Sequence, residues 1–318
     1  MKFFFVITII LIFAGCAVRE QQYTRFNYET LDYFDTLTSI LGYAQSQEEF
    51  DYFTNIILAE LGHFNRHFCQ FNDYEGISNI KTTNTYAGIR PVYVHPDVIA
   101  MLEAGIDAYD QTNGIVNIAI GPVTNIWREY ISRAEEILPS TDDLLEAAGF
   151  TNISDVIVDG NSVFLRYHNM YLDVGSIAKG FAIERAAQAA LDAGFEAFTL
   201  SVGGDVRLAS GPRSGNRDTW GVGILDPNNP DEILEAIFVT DTAVFTSGDY
   251  LRYYTVNNAM YHHIIDPRTL MPAIQTRSVT VIYPCGITAE ILSLAAFILG
   301  AEESAELLAD VEVFWVLP

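Results

Sequence analysis

Residues 171–180, YLDVGSIAKG, combine groups that could hold a phosphate. An apolar strand end leads into a turn and a predicted helix that begins near Ser176, where backbone N–H groups and the positive end of a helix dipole are free. Gly175 and Gly180 allow the backbone to turn and to approach a ligand closely. Lys179 lies in the first helical turn, where a cation is unfavourable unless an anion is nearby. The stretch indicates a phosphate site, with a capped surface helix and a solvated lysine as the alternative.

Two further loops place polar groups just after predicted strands. Gly203 and Gly204 free the backbone to lie against a ligand, and Asp205 follows them as an acceptor. A tight turn capped by aspartate is the alternative for this loop. In YHHIIDPRT (residues 261–269), strand alternation places His262 and His263 on opposite faces, so that one of them can point into a site. A hydrogen-bonded core histidine is the alternative for each.

A third group of residues could hold a metal ion. Glu290 lies in the first turn of an otherwise apolar predicted helix, with Ser293 one turn further along the same face. These are oxygen ligands of the kind that Mg²⁺ prefers, and a glutamate that compensates the helix dipole is the alternative. His63 and His67 also stand four apart on a predicted helix, a spacing that zinc can use. They lack the glutamate of the zinc-protease motif and an obvious third ligand, so we interpret them as surface histidines.

The elements that must position these groups follow from periodicity and turn signals. Helices are predicted at residues 48–71, 96–112, 141–149, 176–191 and 288–299, with a short helical piece that ends at Trp127. Strands are predicted at residues 33–43, 155–158, 162–167, 198–202, 220–225, 236–240, 242–247, 250–256, 260–265, 277–283 and 312–317. Residues 17–30 are polar, and this composition predicts a tether between the signal and the domain. Because helices and strands mix without strict alternation, the sequence predicts an α+β fold with antiparallel hairpins and flanking helices.

Composition excludes one class of partner. Half of the 318 residues are apolar, which is enough for a substantial core. The formal net charge is −24 and no basic cluster is visible, so the chain is not expected to bind nucleic acid. Cys69 and Cys285 leave one disulfide possible in an oxidising compartment, and the sequence does not decide whether it forms.

Residues 1–16 have the pattern of a bacterial lipoprotein signal. Lys2 precedes a near-continuous apolar run at residues 3–13, too short to span a bilayer comfortably, and the run ends in FAGC. We expect cleavage before Cys16, lipid attachment to that cysteine, and an inner-membrane lipoprotein that faces the periplasm or the exterior. An ordinary secretory signal is the alternative, although it requires no cysteine there.

Taken together and in order, the motifs of the chain resemble the ApbE family of FAD:protein FMN transferases. The matching segments are FDT (34–36), NG (113–114) with GP (121–122) and Trp127, LDVGSIAKG (172–180), VGGD (202–205), WGVGI (220–224), TSGD (246–249), HIIDPRT (263–269), SVTV (278–281) and AEILS (289–293). They cover essentially all of the mature chain. The resemblance implies a single domain of this family over residues 31–318, after the signal and the tether.

The reaction that the resemblance implies is cleavage of the FAD pyrophosphate. FMN passes to a threonine or serine hydroxyl of a partner flavoprotein, such as a subunit of Nqr- or Rnf-like membrane redox complexes, and AMP leaves. The resemblance implies Mg²⁺ bound by the carbonyl of Ser176 and the side chains of Glu290 and Ser293. It implies His263 and Asp205 as catalytic residues. The FAD-binding residues that it implies are Phe34, Asn72, Asp73, Tyr74, Asn117, Lys179 and Ile264.

This chain departs from the family pattern around the expected metal. Glu290 stands where the family usually has aspartate, and Leu294 stands where it usually has threonine. Mg²⁺ tolerates misplaced ligands poorly. Two alternatives to the transferase therefore stay open: a catalytically weak lipoprotein that carries FAD, and an FAD pyrophosphatase that yields FMN and AMP.

Overall fold

The computed structural model describes residues 22–134, 136–213 and 217–318. The expected signal and Cys16 lie outside these residues. Among the helices of the described part, none combines the length and the apolar character that crossing a bilayer requires. Cys69 and Cys285 are both free thiols.

A seven-stranded sheet, in which each strand runs antiparallel to its neighbours, forms the centre of the fold. Its order is β1-β2-β6-β7-β10-β15-β16. The strands are β1 (Thr24–Tyr33), β2 (Thr36–Ala44), β6 (Phe198–Val202), β7 (Asp205–Ala209), β10 (Thr242–Gly248), β15 (Ser278–Tyr283) and β16 (Glu312–Val316). The ends of β6, β7 and β10 carry the predicted site loops, so the sheet brings these loops together.

Smaller antiparallel sheets surround the central one. One has the order β3-β5-β4, and the other three are the pairs β8-β9, β11-β12 and β13-β14. Their bounds are β3 (Val92–Tyr93), β4 (Val156–Asp159), β5 (Ser162–Leu165), β8 (Trp220–Asp226), β9 (Asn229–Val239), β11 (Tyr253–Val256), β12 (Ala259–His262), β13 (Ile265–Asp266) and β14 (Met271–Pro272). Together with the helices they make an α+β fold, as predicted.

The helices are α1 (Gln47–His67), α2 (Ile80–Thr85), α3 (Pro96–Gln111), α4 (Gly121–Arg133), α5 (Thr141–Ala148), α6 (Ala178–Asp192) and α7 (Gly286–Glu303). Three of the helices, α1, α6 and α7, pack on one face of the central sheet. Helix α6 packs between α1 and α7, and α7 lies against β10 and β15. Phe245 on β10 joins the large core on this face, whereas its neighbour Val244 joins a smaller core beneath the β8–β9 hairpin. The alternation of side chains along β10 therefore separates the two cores.

The tether predicted for residues 17–30 is wrong from Thr24 onward. Strand β1 occupies residues 24–33 and pairs with β2 from Thr24, opposite Ala44, to Tyr33, opposite Thr36. Most β1 side chains are exposed, so the strand has the polar composition of a linker. Its hydrogen bonds come from pairing with β2, which composition alone does not reveal.

The predicted bounds of other elements were right at one hairpin and wrong at two helices. Asn257 and Asn258 both have positive φ and join β11 to β12, as predicted for that hairpin. Helix α6, however, begins at Ala178 rather than Ser176, because its N-cap is Ile177, whose side chain accepts no backbone hydrogen bond. Helix α1 ends at His67 rather than residue 71.

Candidate active site

The turn before α6 is fixed by amide side chains from two other segments. Asn84 exchanges two hydrogen bonds with Leu172: its Nδ2 donates to the Leu172 carbonyl (3.0 Å) and its Oδ1 accepts from the Leu172 N–H (2.7 Å). Gln70 Oε1 accepts from the Val174 N–H at 3.2 Å. The backbone that approaches Lys179 is therefore held in one conformation before any ligand arrives.

Asp173 is a site residue that the sequence analysis did not single out. Its carboxylate accepts hydrogen bonds from Thr124 (2.6 Å), Arg128 (2.7 Å) and the Gly175 N–H (3.1 Å). Burial alone would raise the pKa of Asp173, but Arg128 and these hydrogen bonds outweigh it and lower the pKa. Asp173 is therefore a fixed negative charge that ties α4 to the turn.

Lys179 meets Asp205 at the centre of the site. The ammonium forms an ion pair with Asp205 Oδ2, and Asp205 Oδ1 accepts from the Thr246 N–H at 2.9 Å. Burial would lower the pKa of Lys179, but the charges of Asp205 and Glu290 raise it. Three distant segments of the chain thus converge here, and Lys179 is held as a cation.

Glu290 approaches the same ammonium from α7. Its Oε2 accepts from the Gly180 N–H at 2.8 Å, and the residue is 7% exposed. Burial raises the pKa of the Glu290 carboxyl to about 8, against the opposing charge of Lys179. Asp205 and Glu290 therefore both act on one ammonium, Asp205 through an ion pair and Glu290 through its charge alone. When both are ionised, the cluster has one excess negative charge, which a bound cation would compensate.

Gly180 is required by the close crossing of α6 and α7. A Cβ at this position would lie 2.8 Å from Glu290 Oε2 and 2.8 Å from the Gly286 carbonyl oxygen. The Gly286 oxygen belongs to the backbone and cannot rotate away. The two helices can thus approach closely enough for the Gly180 N–H to hold the carboxylate.

We expect Gly180→Ala to destabilise the protein by about 1–3 kcal/mol, the usual cost of overpacking. Alanine in a helix interior normally stabilises by about 0.5–1 kcal/mol relative to glycine, so the expected sign is reversed. Gly62→Ala in α1 is the matched control, because its new Cβ would meet only the Tyr33 and Arg66 side chains, at 3.3 Å or more. Urea unfolding of both variants measures the effect. A Gly180→Ala protein as stable as Gly62→Ala would contradict the close crossing.

Two serine hydroxyls lie next to the backbone of Glu290. Ser293 Oγ lies 3.0 Å from Ser247 Oγ and donates to the Glu290 carbonyl, also at 3.0 Å. Ser176 Oγ is buried and has no hydrogen-bond partner within the described residues. Ser247 was missed by the sequence analysis, although it belongs to the TSGD motif. The oxygen-rich donor set fits a hard cation such as Mg²⁺.

The two adjacent histidines lie in different environments. His262 is 4% exposed, and its Nε2 lies 2.7 Å from the Ala273 carbonyl oxygen, so it is a hydrogen-bonded core histidine. His263 has an exposed surface, and its Nδ1 lies 3.3 Å from the Arg252 carbonyl oxygen. Its crowded surroundings and then the charge of Arg252 lower the pKa of His263, so the ring is neutral at pH 7. With Nδ1–H donating to that carbonyl, Nε2 is available to accept a proton.

Arg252 is a third residue that the sequence analysis missed. Its carbonyl accepts a hydrogen bond from the His263 N–H at 3.1 Å, which places it beside that histidine, and its charge disfavours protonation of both His263 and Lys179. The residue is exposed, so its guanidinium can meet an anionic ligand. Its position shortly after the TSGD motif was the available signal.

Two turns expected to contact a flavin lie near each other. Phe34 and Asp35 join β1 to β2 with φ of 55° and 52°, a conformation that is strained for side chains other than glycine. Asn65 Oδ1 holds the Phe34 N–H at 2.9 Å. Burial raises the pKa of Tyr74, and Asp35 is close enough to contribute. Backbone strain of this kind is often retained where it positions a ligand contact.

Other predicted FAD contacts already have partners in the fold. Asn117 donates to the Thr151 carbonyl (2.9 Å) and accepts from the Ala119 N–H (2.8 Å). Asn72 is exposed, and exposed Asp73 pairs with Lys81. Ile264 is 7% exposed within the core. Contact of these residues with FAD stays a prediction.

Comparisons with known proteins converge on one family. The sequence profile of the ApbE family matches residues 34–315. The FAD:protein FMN transferase of Treponema pallidum is 32% identical over 263 residues, 76% of this chain and 71% of that protein. The enzyme of the same name from Vibrio cholerae is 28% identical over 236 residues, 73% of this chain and 70% of its own length. Among solved structures, the ApbE protein of Thermotoga maritima superposes with a TM-score of 0.80 at 27% identity, covering 93% of this chain and 94% of that one.

Proposed function

This chain belongs to the ApbE family, and from that premise we propose that it transfers FMN from FAD to a hydroxyl group of an acceptor flavoprotein and releases AMP. The observation that carries the proposal is the cluster in which Lys179 forms an ion pair with Asp205 and is also stabilised as a cation by the charge of Glu290. Such a cluster combines a cation for phosphate with carboxylates for a metal ion.

The donor set fits Mg²⁺. The Ser176 carbonyl, the Glu290 carboxylate and the Ser293 hydroxyl would hold the ion, and the unpartnered Ser176 Oγ indicates that polar space remains at the turn. Mg²⁺ would neutralise charge on the pyrophosphate oxygens when bound. Leu294 supplies no ligand, and Ser247 brings a further hydroxyl to the same place.

Side chains of the protein would bind the pyrophosphate and accept the proton of the acceptor hydroxyl. Lys179 and Arg252 attract and orient the pyrophosphate, and Asp205 positions Lys179. The acceptor hydroxyl oxygen attacks the FMN phosphorus, and the bond from that phosphorus to the bridging oxygen breaks, so AMP leaves with the bridging oxygen. Neutral His263 accepts the hydroxyl proton at Nε2. Because His263 is exposed, a hydroxyl group on the surface of another protein can reach it.

We further propose that the protein is anchored by lipid at Cys16 and modifies subunits of membrane redox complexes. Seven residues, 17–23, separate Cys16 from the first residue of β1. Fully extended, they reach at most roughly 25 Å. The transferase domain would therefore work close to the membrane surface, where such acceptors lie.

The test is incubation of the purified protein with FAD and Mg²⁺, with and without a flavoprotein subunit that bears an acceptor threonine. Mass spectrometry follows AMP release and an FMN adduct on the acceptor. We expect an adduct that requires both Mg²⁺ and the threonine. AMP without an adduct would indicate the pyrophosphatase, and bound FAD without AMP would indicate the carrier.

A further inference from the structure

A cluster of three imidazoles and one carboxylate lies outside the active site. His63 and His67 come from the last turns of α1, and His95 and Asp97 come from the start of α3. His63 Nε2 lies 2.8 Å and His95 Nδ1 lies 3.1 Å from the same atom, Asp97 Oδ2. The centroid of the His67 ring is 4.4 Å from that of His63 and 4.9 Å from that of His95. Two helix ends thus converge on one point.

The hydrogen bonds of this cluster are not all satisfied. His95 Nδ1 is positioned to accept the Asp97 N–H at 3.2 Å, yet it also faces the Asp97 carboxylate at 3.1 Å. An unprotonated Nδ1 would place two acceptors against each other, and a protonated one could not accept the N–H. His67 Nδ1 is buried with no hydrogen-bond partner in the described part of the chain. A cation between these atoms would remove the contact between two acceptors, because the Nδ1 lone pair would bind the ion in place of the Asp97 N–H.

We propose that His63, His95 and Asp97 bind a divalent transition-metal ion of the zinc class, with His67 as the fourth ligand. Imidazole nitrogen with one carboxylate is a donor set that Zn²⁺ uses and that Mg²⁺ disfavours. The ligand atoms of His63, His95 and Asp97 all lie within 4.8 Å of one another. Tetrahedral zinc with bonds of about 2.0–2.1 Å separates its ligands by roughly 3.3 Å, so small side-chain rotations suffice for these three ligands. His67, whose ring centroid lies 4.4 Å from that of His63, would turn further to complete the set.

Sequence spacing alone did not reveal this site. His63 and His67 were interpreted as surface histidines because no third ligand was recognised. His95 and Asp97 lie about 30 residues further along the chain and meet them through the fold. The metal would clamp α1 to α3, next to Asn65, which holds the Phe34 turn. The site is separate from the Glu290 cluster and does not depend on the proposed function.

The test uses untagged protein with Mg²⁺ in excess, so that the oxygen-rich site around Glu290 is not available to the probe. Zn²⁺ is titrated calorimetrically, and Co²⁺ is added as a spectroscopic probe whose visible absorption reports tetrahedral nitrogen ligation. We expect one Zn²⁺ per chain and a rise in Tm when Zn²⁺ is added. His63→Ala, His95→Ala and Asp97→Asn should each weaken Zn²⁺ binding at least tenfold and abolish the Co²⁺ spectrum.

His168→Ala is the matched control, because His168 is exposed and lies outside the cluster. Circular dichroism of each variant without metal separates lost ligation from lost folding, and His63→Gln gives a second, milder variant. Stoichiometric Zn²⁺ binding that survives both His63→Ala and His95→Ala would overturn the proposal. So would the absence of Zn²⁺ binding to the wild-type protein.

Discussion

Replacing Glu290 by glutamine should abolish metal-dependent release of AMP from FAD and, at the same time, make the metal-free protein more stable. Outer-shell partners of a metal ligand typically contribute 10–100-fold, so loss of the ligand's charge should cost at least about 100-fold in turnover. Glutamine has the same shape, and its Oε1 can still accept the Gly180 N–H. The amide, however, does not ionise, so it supplies no negative charge to a metal ion.

The stability change should depend on pH in a defined direction. The carboxyl has a pKa of about 8 in the folded protein and 4.5 as its ordinary value. Between these values the folded protein retains a proton that the unfolded chain has released. The free energy of unfolding therefore falls as pH rises through this window. Glutamine does not titrate, so Glu290→Gln should gain stability over the wild type from pH 5 toward pH 8.

Urea unfolding with chelator at pH 5 and pH 8, together with the AMP assay, tests both effects. Glu302→Gln is the matched control, because Glu302 is an exposed glutamate on the same helix. An equal pH dependence in wild type and Glu290→Gln would show that the carboxyl is ionised in the folded protein. Retained turnover would remove Glu290 from the metal site.

His263→Ala should lower the rate of FMN transfer by about 10²–10⁴-fold, the usual contribution of a general base. The affinity for FAD should change little, because Lys179 and Arg252 remain. With saturating Mg²⁺, so that protonation of Glu290 does not limit the rate, the wild-type rate should stay level from pH 8 down to pH 6, because burial and the charge of Arg252 lower the pKa of His263 to about 4. Single-turnover kinetics and FAD binding measured separately distinguish the rate from the affinity.

His168→Ala replaces another exposed histidine and should transfer FMN at the wild-type rate. If His263→Ala lost FAD affinity and transfer equally, the histidine would bind FAD rather than accept a proton. A His263→Ala enzyme with the wild-type rate would assign proton transfer to another group.

Local features were predictable from the sequence. The Asn257-Asn258 turn fixed a hairpin because asparagine tolerates the positive φ that both residues adopt. Strand β6 was predicted with its observed bounds because its apolar residues are bounded by the Gly203-Gly204 turn. Strand β1 was missed because its exposed, polar side chains leave little signal.

The site was predictable in its parts but not in its contacts. The motifs identified Lys179, Asp205 and Glu290 individually. The Gly180–Glu290 hydrogen bond joins residues 110 apart, and nothing in either local sequence indicates that two helices cross there. Arg252, Ser247 and the His95–Asp97 pair were missed for the same reason, since each acquires its role from packing rather than from its neighbours in sequence.

The strand order of the central sheet also determines how long β2 must wait for its second partner strand during synthesis. Strand β2 needs β6 as its second neighbour, and the first pair of that ladder, Gly42 with Phe198, spans 156 residues. At about 5–20 residues per second, a ribosome needs roughly 8–30 s to make the intervening chain. For that time the β1–β2 hairpin carries an open edge that another chain could join. Yield in cells should therefore depend on chaperones that shield this edge until the whole domain can fold.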